Sequence, residues 1–258
     1  MNAKLWALVG SLSLLAVVGI ACAAAPVTHS AGSPRPTSTV GGDACSEWNV
    51  AEHFPLALGN TWVYSGTFYQ GFDRNTVLTA TYVVTETVVD ILRAEQRPHM
   101  IYQVARYKSV RSCPEPWVRQ GQGWCSTFDT PEPEYFWYII DGNTMYQQRK
   151  LEVFRLPARS VVELVFPLEM GRQWYLSAEL QEQYPDYKLD AMLRKVERKG
   201  SVDSLAGDFD ECFLMTDVVG GNASRTWYCA GVGIVEQATD HSGTPFGSRE
   251  LLAAYSFP

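Results

Sequence analysis

Hydrophobic and polar positions alternate along most of the chain from Trp62 onward, in short runs of β-branched and aromatic residues cut by turn formers. A period of two sets alternate side chains on one face of an extended strand, so each run reads as a strand with a buried side. In the first half the clearest runs are 62–65, 77–91, 100–110, 135–140 and 144–148. In the second half they are 163–166, 174–180, 209–216, 225–229, 234–238 and 251–257. Asp141-Gly142-Asn143 and Gly220-Gly221-Asn222 supply hairpin turns between neighbouring runs. In 77–91, Tyr82, Val84 and Val88 share one face while Val83, Val89 and Ile91 share the other, which predicts a bulge or burial on both sides. Segment 186–199 fits a helix through Leu189, Met192, Leu193 and Val196, but it also alternates from Met192, and the extended reading is preferred. The pattern as a whole predicts an all-β fold, a curved antiparallel sheet forming a sandwich or a partly open barrel.

One element occurs twice. Pro55-Leu56-Ala57-Leu58-Gly59-Asn60-Thr61-Trp62 and Pro167-Leu168-Glu169-Met170-Gly171-Arg172-Gln173-Trp174 both read P-L-x-[LM]-G-x-x-W. Pro and Gly shape a tight turn, and the Trp anchors a new strand in the core. The repeat predicts two pseudo-repeated β-units, spanning 48–160 and 161–258 within a single domain 45–258, although reuse of one turn solution would give the same pattern.

The N-terminus breaks the alternation. Lys4 precedes an almost continuous apolar run, 5–20, and then Ile20-Ala21-Cys22-Ala23. A basic start, an apolar stretch and a small-residue boundary make an export signal over residues 1–21. Cleavage behind Ala21 would leave Cys22 as a lipid-modified first residue. Ala21-Cys22-Ala23 also fits an ordinary signal-peptidase site, and the run could span a bilayer uncleaved. Every alternative places the body outside the cytoplasm. Residues 22–44 are dominated by Ala, Pro, Ser, Thr and Gly. Such a stretch has too little apolar surface to order itself and reads as a flexible tether, about 25 Å in mean reach.

The signal resembles that of bacterial lipoproteins, and the body resembles bacterial envelope lipoproteins of uncharacterised function with all-β bodies. The residues that carry the second resemblance are Phe54 with the first copy of the repeated turn and Trp62-Val63-Tyr64, then Ala206-Gly207-Asp208-Phe209, Gly231-Val232-Gly233-Ile234-Val235 and the closing run 251–257. The resemblance implies a curved antiparallel sheet and an extracytoplasmic location, and it brings no catalytic residues.

Charge narrows the possible partners. A net charge of −7 is the wrong sign for a phosphate backbone, which requires clustered Lys and Arg. Export turns the cysteines into disulfide candidates: Cys113 with Cys125 across a Pro/Gly-rich excursion, and Cys212 with Cys229 on two strands, leaving Cys45 unpaired. No C-x-x-C, H-E-x-x-H or G-x-S-x-G occurs, so no metal or cofactor is expected. His99 or His241 could join a Ser-His-Asp triad only through the fold. The carboxylates Asp129, Glu132 and Glu134, like Asp203, Asp208, Asp210 and Glu211, could serve calcium or glycoside chemistry but read as solvated turns. Trp117, Trp124, Tyr135 and Trp137 crowd the Cys113–Cys125 region and form the candidate binding surface, with core packing as the alternative. The expectation is a membrane-tethered, non-catalytic binding or structural module of the cell envelope, with a protein, glycan or lipid as partner. The alternatives are an exported hydrolase, marked by His, Ser and Asp in one cleft, and a carrier of an apolar ligand, marked by a large dry cavity.

Overall fold

The computed structural model of the chain describes residues 50, 54–71, 75–93, 99–119, 125–149, 160–177, 193–219 and 222–258. The strands are β1 (Thr61–Gly71), β2 (Val77–Arg93), β3 (Met100–Ser112), β4 (Glu134–Asp141), β5 (Thr144–Gln148), β6 (Val161–Val165), β7 (Gln173–Tyr175), β8 (Leu193–Ser204), β9 (Gly207–Val219), β10 (Asn222–Cys229), β11 (Gly233–His241) and β12 (Phe246–Ser256). A short helix, α1 (Glu115–Arg119), and a 3-10 turn at Cys125–Phe128 lie between β3 and β4. All twelve strands form one antiparallel sheet in which sequence neighbours pair. The exception is the junction between β6 and β7, while β1 pairs with β12 from Thr61↔Ser256 to Gln70↔Phe246.

The sheet therefore curls until its two edges meet. There the Val162 N–H donates to the Leu176 carbonyl at 2.8 Å, nearly closing a barrel. Register shifts at Val63/Tyr64, Val88/Asp90, Val196/Arg198 and Trp227/Tyr228 mark the bulges that bend the strands. The shift at Val88/Asp90 accounts for the change of apolar face in the sequence of β2. Of the two architectures expected, the molecule adopts the partly open barrel.

Most strands run longer than their apolar cores suggest. β1 continues to Gly71 because Trp62, Tyr64 and Phe68 point inward while Ser65 and Thr67 take the outer positions. β7 is shorter than expected, three residues, and 178–180 fall outside the described residues. The described part of the ambiguous segment is strand, with Val196 fully buried, whereas 186–192 are not described. The hairpin joining β8 to β9 turns at Leu205-Ala206, among the acidic residues Asp203, Asp208, Asp210 and Glu211 that read as a turn, and β8 runs on to Ser204, past the end of the expected extended segment.

The repeated turn is the same structure twice. Gly59 N–H donates to Val88 C=O at 2.9 Å and Val88 N–H to Asn60 C=O at 3.0 Å. In the second copy Gly171 N–H donates to Val196 C=O at 2.9 Å and Val196 N–H to Arg172 C=O at 2.9 Å. Asn60 Nδ2 reaches back to Pro55 O at 2.5 Å, and Arg172 Nη1 reaches Pro167 O at 2.9 Å. Gly59 and Gly171 sit at φ 86° and 81°, where a side chain is strained. The equivalence extends one residue before the motif: Phe54 and Phe166 are both buried, with ring centroids 5.8 and 6.0 Å from that of Tyr228. The two turns thus converge on one aromatic cluster inside the barrel, joined by Trp62 at 5.9 Å and Tyr138 at 5.3 Å from Phe54.

That cluster fills one end. In an antiparallel barrel the starts of odd strands and the ends of even strands share an end. The repeated turns, the turns at Gly142, Leu205 and Gly231, and the C-terminal residues after Ser256 all lie there. The opposite end holds the connection carrying α1 and the Cys113–Cys125 disulfide.

Candidate functional site

A cavity of about 740 Å³ occupies the barrel toward that opposite end. Its wall comes from the late residues of odd strands, such as Lys108, Asp217 and Thr239, and the early residues of even ones, such as Glu134, Glu163, Arg194 and Glu250. Tyr64 and Tyr138 meet it from the aromatic cluster below, and the Tyr64 hydroxyl donates to Ile234 O at 3.1 Å. The chain enters the barrel at the closed end, away from the mouth.

The wall is charged. Glu86, Glu134, Glu163, Asp217 and Glu250 face Arg106, Lys108, Arg149 and Arg194. Six of these nine form two clusters, each of one arginine held by two carboxylates. In the first, Arg106 Nη1 donates to Glu86 Oε1 at 2.9 Å, and Nη2 donates to both Glu250 oxygens at 2.8 and 2.6 Å. In the second, Arg194 Nε donates to Asp217 Oδ1 at 3.0 Å, and Nη1 donates to Glu163 Oε1 at 3.0 Å and to the Glu163 carbonyl at 3.1 Å. Tyr82 also donates to Glu250 Oε1, at 3.2 Å. Its ring occupies the space that a β-carbon at Gly66 would need, so the glycine lets the phenol reach the cluster.

The clusters occupy equivalent places in the two halves. Glu86 is the cross-strand partner of Trp62, and Arg194 is that of Trp174. Across the next ladder Glu86 faces Arg106, and Arg194 faces Asp217. The third member comes from the closing strand of each half, Glu163 on β6 and Glu250 on β12. The paired positions have exchanged charge while the composition of the cluster is unchanged.

Burial sets the electrostatics. Desolvation raises the Glu86 carboxyl above its ordinary pKa despite the attraction of Arg106, and it raises Asp217 despite Arg194. Burial alone would weaken the charge on Arg106 and Arg194. The flanking carboxylates outweigh that effect and hold both guanidinium groups above their usual value. Lys108 is lowered, first by burial and then by repulsion from Arg106. Burial pushes the Tyr64 and Tyr138 phenols well above the ordinary range, so both stay neutral.

The residues singled out in the sequence scatter around this site. Tyr135 is exposed and lines the cavity beside Glu134. Trp117 is buried, its ring centroid 5.7 Å from that of Phe68, and is therefore a core contact and not part of an exposed surface. Trp137 is half-buried and does not line the cavity. Trp124, Cys45 and Cys22 lie outside the described residues, as do the signal and tether. Cys113 is bonded to Cys125, clipping the α1 excursion, and Cys212 is bonded to Cys229 across β9 and β10. His99 Nδ1 lies 3.2 Å from Asp141 Oδ1 and His241 Nδ1 lies 2.9 Å from Thr244 Oγ1, and neither histidine lines the cavity. Among the described residues, no group of three or more His, Cys, Asp or Glu is placed to hold a metal ion.

The six cluster residues escaped the sequence reading. The available signal was a charge on an otherwise apolar face: Glu86 in line with Tyr82, Val84 and Val88, and Asp217 in line with Met215.

No protein-family model matches the chain, and no curated protein matches it by sequence. Solved structures that resemble it include two bacterial ones. One is a “putative exported protein with YmcC-like fold” from Bacteroides fragilis, at 11% identity and a TM-score of 0.44, covering 80% of this chain and 99% of that one. The other is a “putative lipoprotein” from Parabacteroides distasonis, at 9% identity and a TM-score of 0.43, covering 79% of this chain and 97% of that one.

Proposed function

We propose that the chain is an exported lipoprotein, tethered to the membrane through Cys22, whose barrel is a non-catalytic binding module for a small polar solute. The observation that carries this reading is the charged cavity of about 740 Å³, a size suited to a small-molecule site. Two disulfides, Cys113–Cys125 and Cys212–Cys229, suit an oxidising compartment.

The charged wall favours a polar solute over a lipid, because an apolar chain would strip water from ionised groups without replacing its hydrogen bonds. A hydrolase of the Ser-His-Asp type draws no support from a cavity whose described lining includes Ser248 and Asp217 but no histidine.

Thermal-shift screening of the purified chain against polar and apolar solute sets tests the binding role. Polar solutes stabilise the folded state by mass action, whereas stabilisation by fatty acids or lysolipids alone overturns the reading. Intact mass of the membrane-extracted protein tests the anchor: loss of residues 1–21 and added acyl chains are expected. A soluble mature form starting beyond Cys22 overturns the anchor.

A further inference from the structure

The cavity wall narrows the ligand, given the binding role proposed above. Five carboxylates face four cations there, Lys108 and Arg149 included, so the wall is close to charge balance and selects strongly for neither an anion nor a cation. One polar atom on it stands out. Among the described residues, Arg106 Nε is buried without a hydrogen-bond partner, and no other atom of that kind belongs to a residue lining the cavity. A buried donor left unmade is costly, so the site calls for an acceptor at this position. In a planar guanidinium the Nε–H lies on the same edge as Nη2. Nη2 of Arg106 donates to both Glu250 oxygens, at 2.8 and 2.6 Å. An oxygen that accepts from Nε therefore sits beside the Glu250 carboxylate. The rings of Tyr64, Phe136 and Tyr138 border the same cavity.

We propose that the cavity takes an uncharged polyhydroxylated solute of the sugar class, with one hydroxyl seated between Arg106 and Glu250. A hydroxyl both accepts and donates, so it can take the Arg106 Nε–H and give its own proton to the Glu250 carboxylate. A carboxylate or phosphate in that seat would accept from Nε but would be pressed against the like charge of Glu250. An ammonium has no acceptor to offer. The remaining hydroxyls of a sugar find donors and acceptors in the amides of Gln147 and Gln237 and the hydroxyls of Thr239 and Ser248. The aromatic rings offer apolar faces to its C–H surface.

Isothermal titration of the purified full-length chain, in a detergent without a sugar headgroup, decides this. The probes are glucose, galactose, mannose and maltose, set against succinate, 1,4-diaminobutane and glycine betaine. Saturable binding of at least one sugar is expected, and of none of the charge-bearing probes. Monodeoxy analogues of the sugar that binds then locate the seat. Loss of the hydroxyl that meets Arg106 should weaken binding by about tenfold or more, the scale of a hydrogen bond to a charged group. Arg106→Lys keeps the charge and deletes the Nε–H. It should weaken the parent sugar by a similar factor and level its advantage over that analogue. Asp203→Asn, on the β8–β9 hairpin, should change neither. Should Arg106→Lys fail to fold, the deoxy series on the wild-type chain still decides, and a flat series overturns the seat. A charge-bearing probe that binds as tightly as any sugar overturns the ligand class and leaves the binding module standing. Silence from every sugar while other polar solutes stabilise the chain has the same meaning. Silence from every polar solute overturns both.

Discussion

In the first half of the barrel the repeated turn opens into the 11 residues of β1, which ladder onto β12 along most of their length. In the second half the same turn opens into the three residues of β7, which meets β6 through the Trp174 indole on Val162 O and a backbone hydrogen bond just past its end. Yet the turn hydrogen bonds, the buried Phe and Trp, and the arginine with two carboxylates are present in both. The anchoring and charge-pairing parts of each half thus stand independently of how much sheet follows them. The ion cluster makes the point most directly. Glu86 and Arg106 in one half become Arg194 and Asp217 in the other, so this layer requires a satisfied guanidinium and not a particular residue at a particular strand.

The comparison is tested hardest at the two indoles. Trp62 and Trp174 are 2% and 8% exposed, and their Nε1 atoms donate to Val232 O at 2.7 Å and Val162 O at 3.1 Å. Trp62→Ala should cost about 3–5 kcal/mol in denaturant unfolding, and Trp174→Ala should fall at the lower end of that range because less sheet depends on it. A loss under about 1 kcal/mol at either site contradicts its anchoring role.

The ion clusters come next. The Arg194 side chain is 9% exposed and that of Arg106 is 19%, so removing the first strands its carboxylates more completely. Arg194→Met should cost about 3 kcal/mol, the low end for breaking a buried pair, and Arg106→Met should cost less. Exchanging the pair, Arg194→Glu together with Asp217→Arg, copies the arrangement of the first half. The double variant should recover most of what either single change loses, as read from a double-mutant cycle. Additive losses would mean that the two halves are not interchangeable at this layer.

How much of this was readable beforehand follows from what each position borders. Strands with one dry face announce themselves: Trp62, Tyr64 and Phe68 alternate with polar residues, and β4 and β5 flank an Asp-Gly-Asn turn. The repeated turn was equally open, since its Pro, Gly and Trp each have a local physical job. The turn between β8 and β9 was open to reading through Asp203, Asp208, Asp210 and Glu211, whereas the run of β8 on to Ser204 was hidden because Lys199, Ser201 and Asp203 border water and leave only Val202 to mark the period. The charged cavity was hidden for another reason. Arg106 and Glu250 lie 144 residues apart in sequence, and only closure of β12 onto β1 brings them together. A buried charge is recognisable in sequence only when its strand neighbours are apolar, as at Glu86. Trp117 shows the converse case: clustering of aromatics along the chain fits a surface or a core equally well, and only the fold decides by turning its ring onto Phe68.

Smaller differences are expected at the turn glycines. Both need positive φ, so Gly59→Ala and Gly171→Ala should each cost about 1–2 kcal/mol. A β-carbon at Gly59 would also lie 3.2 Å from Pro258 Cγ, whereas one at Gly171 meets nothing within 4 Å. Gly59→Ala should therefore be the costlier of the two by thermal unfolding. Equal losses would show that the C-terminal residue yields freely.

The finest distinction lies in the pH dependence of the two clusters. Glu86 and Asp217 occupy opposite ends of their pairs, one on β2 and the other on β9, yet burial raises both above the ordinary carboxyl range against the pull of their arginines. A raised carboxyl holds its proton more tightly in the folded chain than in the unfolded one. Its stabilising contribution is complete below the unfolded pKa, about 4, and is lost as the pH rises through the folded value. Over that window these two groups make the protein less stable with rising pH, opposite in sign to a carboxylate whose salt bridge outweighs its burial. Glu86→Gln and Asp217→Asn should each therefore turn the slope of unfolding free energy against pH more positive there, measured by denaturant titration at a series of pH values. If either variant makes the slope less positive, its arginine outweighs burial, and the two clusters differ in their electrostatics despite their common geometry.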